Sequence, residues 1–122
     1  MRRRAAVRLV ALTAVVAVGA APALAAKPHH KGKLREVGVE SDFYDPAKLT
    51  IHVGDRVKWT WRSSGFSLHD VYVDAGPAQF HSPTQAAGTY ARTFTKPGVY
   101  RLYCTQHEAD MTMVLTVRKV PR

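Results

Sequence analysis

At 122 residues the chain has room for one folded domain beside any targeting segment, and not for two. Eighteen Lys and Arg against nine Asp and Glu give a formal charge of +9, but the basic residues form no long run, so the charge speaks for an acidic protein partner or an anionic surface. A single cysteine excludes a framework of intramolecular disulfides.

The first stretch, "MRRRAAVRLVALTAVVAVGAAPALAA", has an arginine-rich start, an Ala- and Val-rich apolar run and a small-residue site at Ala23-Leu24-Ala25. It reads as a secretory signal peptide over 1–25, cut after Ala25 or Ala26, with Arg3-Arg4 leaving a twin-arginine route open. Gly19 and Pro22 fall where a membrane-spanning helix would have to continue, so no stable insertion is expected once the signal is gone. Nor is there a cysteine near the cleavage site to carry a lipid. The mature chain is expected to be exported and soluble, in the periplasm, at the cell envelope or outside the cell, where nucleic acid is not a partner. Loss of Arg2, Arg3, Arg4 and Arg8 lowers the charge from +9 to +5.

Residues 26–34 follow as a basic tail, "KPHHKGK" at their centre, with nothing apolar to bury before Leu34, and a disordered segment is expected. Square-planar copper capture by His29 or His30 near a new N-terminus needs ionisable backbone amides, and Pro28 supplies none. From there to residue 119 the period is two. "KLTIHV" sets Leu49, Ile51 and Val53 on one face and Thr50 and His52 on the other, facing solvent. Gly54-Asp55 turns the chain into "RVKWTW", with Val57, Trp59 and Trp61 inward. "HDVYV", "YRLYC" and "MTMVLTV" repeat the alternation, aligning His69 with Val71 and Val73, Tyr100 with Leu102 and Cys104, and Met111 with Met113, Leu115 and Val117. Turn signals separate them at Ser63-Ser64-Gly65, Ala75-Gly76-Pro77, Ala87-Gly88 and Lys96-Pro97-Gly98. No helical stripe runs for three turns, and Ser82–Ala87 is too short to matter. An all-β, two-sheet antiparallel sandwich of six to eight strands is expected over 35–119.

The lone thiol is the puzzle. Outside the cell a free cysteine oxidises or cross-links, so Cys104 is a buried inert residue, an intermolecular bridge or a metal-bound thiolate. Its neighbours weigh toward the last. Cys104 ends one strand, His107 lies three residues on, and Met111 opens the next strand, so thiolate, imidazole and thioether share one loop. A second imidazole is still needed, and His69, after the polar turn "RSSGFSL", is the candidate. Two His, one Cys and a weak Met make the donor set of an electron-transfer copper site: sulfur favours Cu(I), imidazole also accepts Cu(II), and one intermediate geometry serves both.

With those residues in view the chain resembles the cupredoxins, the small blue copper proteins of the plastocyanin, pseudoazurin and amicyanin group, over about residues 36–118. "YDPAKLTIHVGDRVKWTW" is similar to the family's opening strands, "LHDV" to its first ligand segment, and "FTKPGVYRLYCTQHEADM" to its last strand and ligand loop. The resemblance implies an eight-stranded Greek-key sandwich with one copper ion at one end, held by His69, Cys104, His107 and Met111, and one-electron transfer as the activity. The chain departs from the pattern in four places. Gln106 stands where many relatives have Pro, Met113 where Gly is common, and Asp70 where Asn ties the two ligand loops together. Glu108, Ala109 and Asp110 replace the apolar surroundings of the last histidine, so docking is expected to be polar. Asp70 is placed to accept a hydrogen bond from the Thr105 hydroxyl or a backbone N–H and, if ionised, to favour Cu(II).

Other residues take plainer roles. Met113 belongs to the core stripe with Leu115 and Val117, though it shares a face with Met111 and is its rival for the axial position. His81 is a surface loop histidine or a secondary copper-end site, and Trp59 and Trp61 are core. The expected function is a monomeric, exported carrier of single electrons between redox protein partners. It is not an enzyme, since there is no open coordination position and no acid–base pair. The alternative with the same ligands is copper storage, delivery or sequestration; a metal-free adhesion-like sandwich is the third.

Overall fold

The computed structural model describes residues 13–15, 19 and 30–121. The rest of the expected signal peptide, and the tail up to His29, lie outside the described residues. Among those described, no helix is long and apolar enough to cross a membrane.

Eight strands form: β1 (Leu34–Val39), β2 (Tyr44–Asp45), β3 (Lys48–His52), β4 (Arg56–Trp61), β5 (Tyr72–Ala75), β6 (Thr89–Thr93), β7 (Gly98–Tyr103) and β8 (Thr112–Arg118). They make two four-stranded sheets, ordered β2-β1-β4-β6 and β3-β8-β7-β5. Alternation decides which side chains meet between them. In β4 Val57, Trp59 and Trp61 are buried, and in β8 Met113, Leu115 and Val117 are. At the centre Phe94 meets Tyr100 edge-on with ring centroids 5.3 Å apart, and Phe80 meets Phe94 likewise at 5.5 Å, an arrangement the ring quadrupoles favour.

The sheets are not purely antiparallel as expected. β1 runs parallel to β4, from Leu34 opposite Arg56 to Val39 opposite Trp61, and β3 runs parallel to β8, from Lys48 opposite Val114 to His52 opposite Arg118. Apolar alternation marks the face a residue points to and carries no information on strand direction. Between β1 and β4 the chain crosses to the other sheet to make β3, and so returns in its original direction.

This pairing gives the sandwich two poles. β4 ends, β7 ends and β8 begins at one; β3 ends, β4 begins and β8 ends at the other. A six-residue strand separates them by roughly 20 Å. The second pole holds the tail. His30 Nε2 lies 2.6 Å from Asp55 Oδ1, the Lys33 N–H donates to the same oxygen at 2.8 Å, and Arg56 N–H donates to the Lys33 carbonyl at 2.9 Å. Disorder was expected over 26–34, yet from His30 on the tail is hydrogen-bonded and Leu34 already belongs to β1, because the turn at Gly54 (φ +97°) presents a carboxylate that residue composition does not reveal. His52, expected in solvent, is half-buried against the His30 ring, 5.4 Å between centroids.

Candidate metal centre

At the first pole the loop after β7 folds back on itself. Cys104 N–H donates to the Met111 carbonyl at 3.0 Å, His107 N–H to the Cys104 carbonyl at 3.2 Å, and both Asp110 N–H (2.9 Å) and Met111 N–H (3.3 Å) to the His107 carbonyl. Cys104 and Met111 are fully buried. His69 arrives from the other side. Its backbone exchanges two 3.0 Å hydrogen bonds with Gln85, and its carbonyl also accepts from Trp61 Nε1 at 3.1 Å. The His69 ring is fully buried and lies 4.9 Å from that of His107, centroid to centroid.

Neither ring nitrogen of His69, nor Nε2 of His107, has a hydrogen-bond partner. Leaving a buried polar atom unpaired costs about 1–3 kcal/mol, and each neutral ring carries one bare nitrogen, so the two rings offer two lone pairs to a group that accepts them, at the same pole as the buried Cys104. A metal ion fits that description. Among the described residues the trio of His, Cys, Asp or Glu whose donor atoms all lie within 4.8 Å of one another is a different one, His30, His52 and Asp55 at the far pole. The side chains of His69, Cys104 and His107 share a neighbourhood without meeting that mutual limit.

A sequence model described as "Copper binding proteins, plastocyanin/azurin family" matches residues 34–118. The chain belongs to this family, the cupredoxins. Halocyanin from Natronomonas pharaonis is 30% identical over 69 residues, a match that takes in 55% of this chain and 42% of that protein, so the chain spans about two fifths of its relative's length. Among solved structures, an amicyanin variant in its Cu(I) form superposes with a TM-score of 0.60 at 28% identity, over 70% of this chain and 82% of that one. A copper-containing nitrite reductase from Thermus scotoductus superposes with a TM-score of 0.64 at 26% identity, over 75% of this chain and 23% of the enzyme. The fold is thus at home both in small copper proteins and as a portion of a larger enzyme. Copper is the cofactor of this cupredoxin.

The electrostatics around the expected copper ligands follow from burial. Burial pushes the pKa of His69 below its ordinary value and the neighbouring His107 ring pushes it further, with Asp70 and Asp42 opposing, so the neutral, lone-pair-bearing imidazole is favoured. Burial raises the Cys104 thiol, while backbone N–H groups of Asp70, Gln106 and His107 act against it by favouring the thiolate. The Tyr44 hydroxyl is pushed far up by burial, then by Cys104 and Asp70, and stays a neutral donor to the Asp70 carbonyl at 2.5 Å.

Asp70 accepts from both expected donors. Thr105 N–H reaches Oδ1 at 2.7 Å and the Thr105 hydroxyl reaches Oδ2 at 2.5 Å. Thr84, which sequence reasoning passed over, donates to Oδ2 at 2.7 Å. The carboxylate is fully buried and clamps the His69 segment, the Cys104 loop and the 82–87 segment together. Sequence reasoning also passed over Gln85 and the indole N–H of Trp61, both of which fix the His69 backbone. The signal was faint: "SPTQ" is a polar run inside a stretch too short for an element. A plainer sign lay in "RSSGFSLHD", where Phe66 and Leu68 interrupt a polar turn; they are 98% and 48% exposed and lead directly into His69. His81 is an exposed residue stacked on Tyr72 at 4.7 Å, and Trp59 is wholly core.

Proposed function

We propose that this cupredoxin is an exported carrier of single electrons, not an enzyme, in which His69, Cys104, His107 and Met111 hold one copper ion and the protein docks with redox partners, acidic ones among them. The observation that carries the reading is the set of buried imidazole nitrogens without partners beside a buried cysteine, in a copper-binding family. Copper supplies the one-electron couple. The protein's part is to keep the donors still: Asp70, with three donors on its carboxylate, and the closed Cys104–Met111 loop hold the ligand segments in one arrangement for either charge state. Met113 fits the core role, being buried opposite Leu102 in the β7–β8 ladder. His107 is only half-buried and gives the route outward, and exposed Phe66 and Leu68 add an apolar element to docking that residues 108–110 alone would not provide.

The test is a visible spectrum of the mature chain with one equivalent of Cu(II), followed by voltammetry. An intense thiolate-to-Cu(II) band with fast, reversible cycling is expected. Absence of that band overturns the ligand assignment. Irreversible voltammetry with ready copper transfer to an acceptor supports storage or delivery instead.

A further inference from the structure

We propose that His30, His52 and Asp55 form a second metal site, for one divalent cation of the Zn(II) or Cu(II) kind, at the pole opposite Cys104. Their donor atoms all lie within 4.8 Å of one another, so small side-chain adjustments bring them to the roughly 3.3–3.6 Å separations of ligands on one tetrahedral ion with bonds of about 2.0–2.2 Å. The three come from separate segments: the tail, the end of β3 and the β3–β4 turn. The parallel register of β3 on β8 sets His52 opposite Arg118, whereas Met111 precedes the start of β8, so the site is about a strand's length from the copper centre and independent of it.

The chemistry of the set is selective. With two imidazoles, one carboxylate and no sulfur it suits borderline divalent ions and disfavours Cu(I), the reverse of the preference at Cys104. Asp55 is built as a ligand is built. It is 2% exposed, and the His52 and Lys33 backbone N–H groups fix its two oxygens at 2.9 and 2.8 Å, the outer-shell support that orients a metal-binding carboxylate. A carboxylate offers about four acceptor positions, and these two amides with the His30 ring use three. The two rings lie 5.4 Å apart at 51°, close enough to share an ion and not stacked face to face. The His30 side chain keeps 19% of its surface in solvent, which leaves a path for entry and room for water to complete the coordination.

In the metal-free protein the His30–Asp55 hydrogen bond satisfies these groups; uptake breaks it, the cation takes the Nε2 lone pair, and the neutral ring keeps its one proton on Nδ1. Lys33 and Arg118 stand nearby and moderate the affinity. The bound ion fastens the segment at His30 to the domain and stabilises the folded chain by mass action.

The experiment is calorimetric titration of Zn(II) into the copper-loaded mature protein, with the visible band recorded throughout. One further equivalent is expected to bind with the band unchanged, and affinity is expected to fall at least tenfold in His30→Ala and in His52→Ala. Both histidines lie outside the core, and far-UV circular dichroism checks that the variants are folded. The same comparison in a Cys104→Ser background, without copper, reads the site whether or not the copper centre behaves as proposed. No zinc-binding event beyond the copper centre, or one that survives the double replacement of His30 and His52 by Ala, overturns the proposal.

Discussion

Replacing Asp55 with Asn tests how the far pole is held. Burial by itself would raise the Asp55 carboxyl, but the backbone N–H groups of His52 and Lys33 and the His30 ring more than reverse this, holding it down at about 2 against an ordinary 3.8. At about 1.36 kcal/mol per pH unit, that depression is worth about 2 kcal/mol of folding stability. The folded chain binds the proton less readily than the unfolded one, so the contribution is complete above about pH 4 and is lost as pH falls through about 2. Asn keeps the shape, carries no charge, and turns an N–H₂ toward at least one donor. Metal-free protein in chelator, unfolded with urea and followed by tryptophan fluorescence, should show the variant about 2 kcal/mol less stable at pH 7. The gap should shrink toward zero near pH 2, where wild-type Asp55 is itself becoming neutral. A gap that is absent at pH 7, or that stays constant down to pH 2, refutes the reasoning.

The copper pole gives three further expectations. Cys104→Ser should abolish the visible band while costing only about 1–3 kcal/mol of stability, because a small hydroxyl takes the place of a buried thiol without opening the core; absorbance and a melting curve read both. Met111→Leu should raise the reduction potential and keep the colour, whereas Met113→Leu should leave the potential alone and cost under about 1.5 kcal/mol, as volume-conserving core changes do; voltammetry on the pair separates them. Thr105→Val removes one hydroxyl donor from the buried Asp70 carboxylate and should lower the stability of the copper-loaded protein by about 1–3 kcal/mol, seen in thermal unfolding.

Much of this architecture was legible before any coordinates. Strands β3, β4, β7 and β8 announce themselves because each buries alternate residues, and that is the signal a period of two carries. The pairing directions were not legible, since the alternation in "KLTIH" and "TMVLTVR" is the same whether the two strands run parallel or opposed. The tail misled for a related reason. His30 and Lys33 are ordinary solvent-loving residues in composition, and what orders them is one carboxylate more than twenty residues away. At the copper pole the proposed ligand types stand out in the sequence by their sparsity, a single thiol three residues before a histidine. The groups that brace them could not, because Thr84, Gln85 and Trp61 act through hydrogen bonds to Asp70 and to the His69 backbone, and such bonds leave no periodicity.

The ladder between β7 and β8 explains why the spacing of Cys104, His107 and Met111 works at all. Its pairs run from Gly98 opposite Val117 to Leu102 opposite Met113 and Tyr103 opposite Thr112. The next pair in that register is Cys104 opposite Met111, and the Cys104 N–H to Met111 carbonyl bond shows the ladder reaching it. Residues 105–110 are therefore the loop of a hairpin, and His107 near its middle is returned over the pair by its own bond to the Cys104 carbonyl. Directly opposed residues on neighbouring strands keep their Cβ atoms about 4.5–5.5 Å apart, so the thioether of Met111 starts beside the thiol. Met113 shares the face but stands one alternation deeper, about 7 Å further along the strand and opposite Leu102. The same period of two that makes the methionines look interchangeable in the sequence makes them inequivalent in the fold. The axial role proposed for Met111 therefore rests on its place opposite Cys104, and the core role of Met113 on its place opposite Leu102.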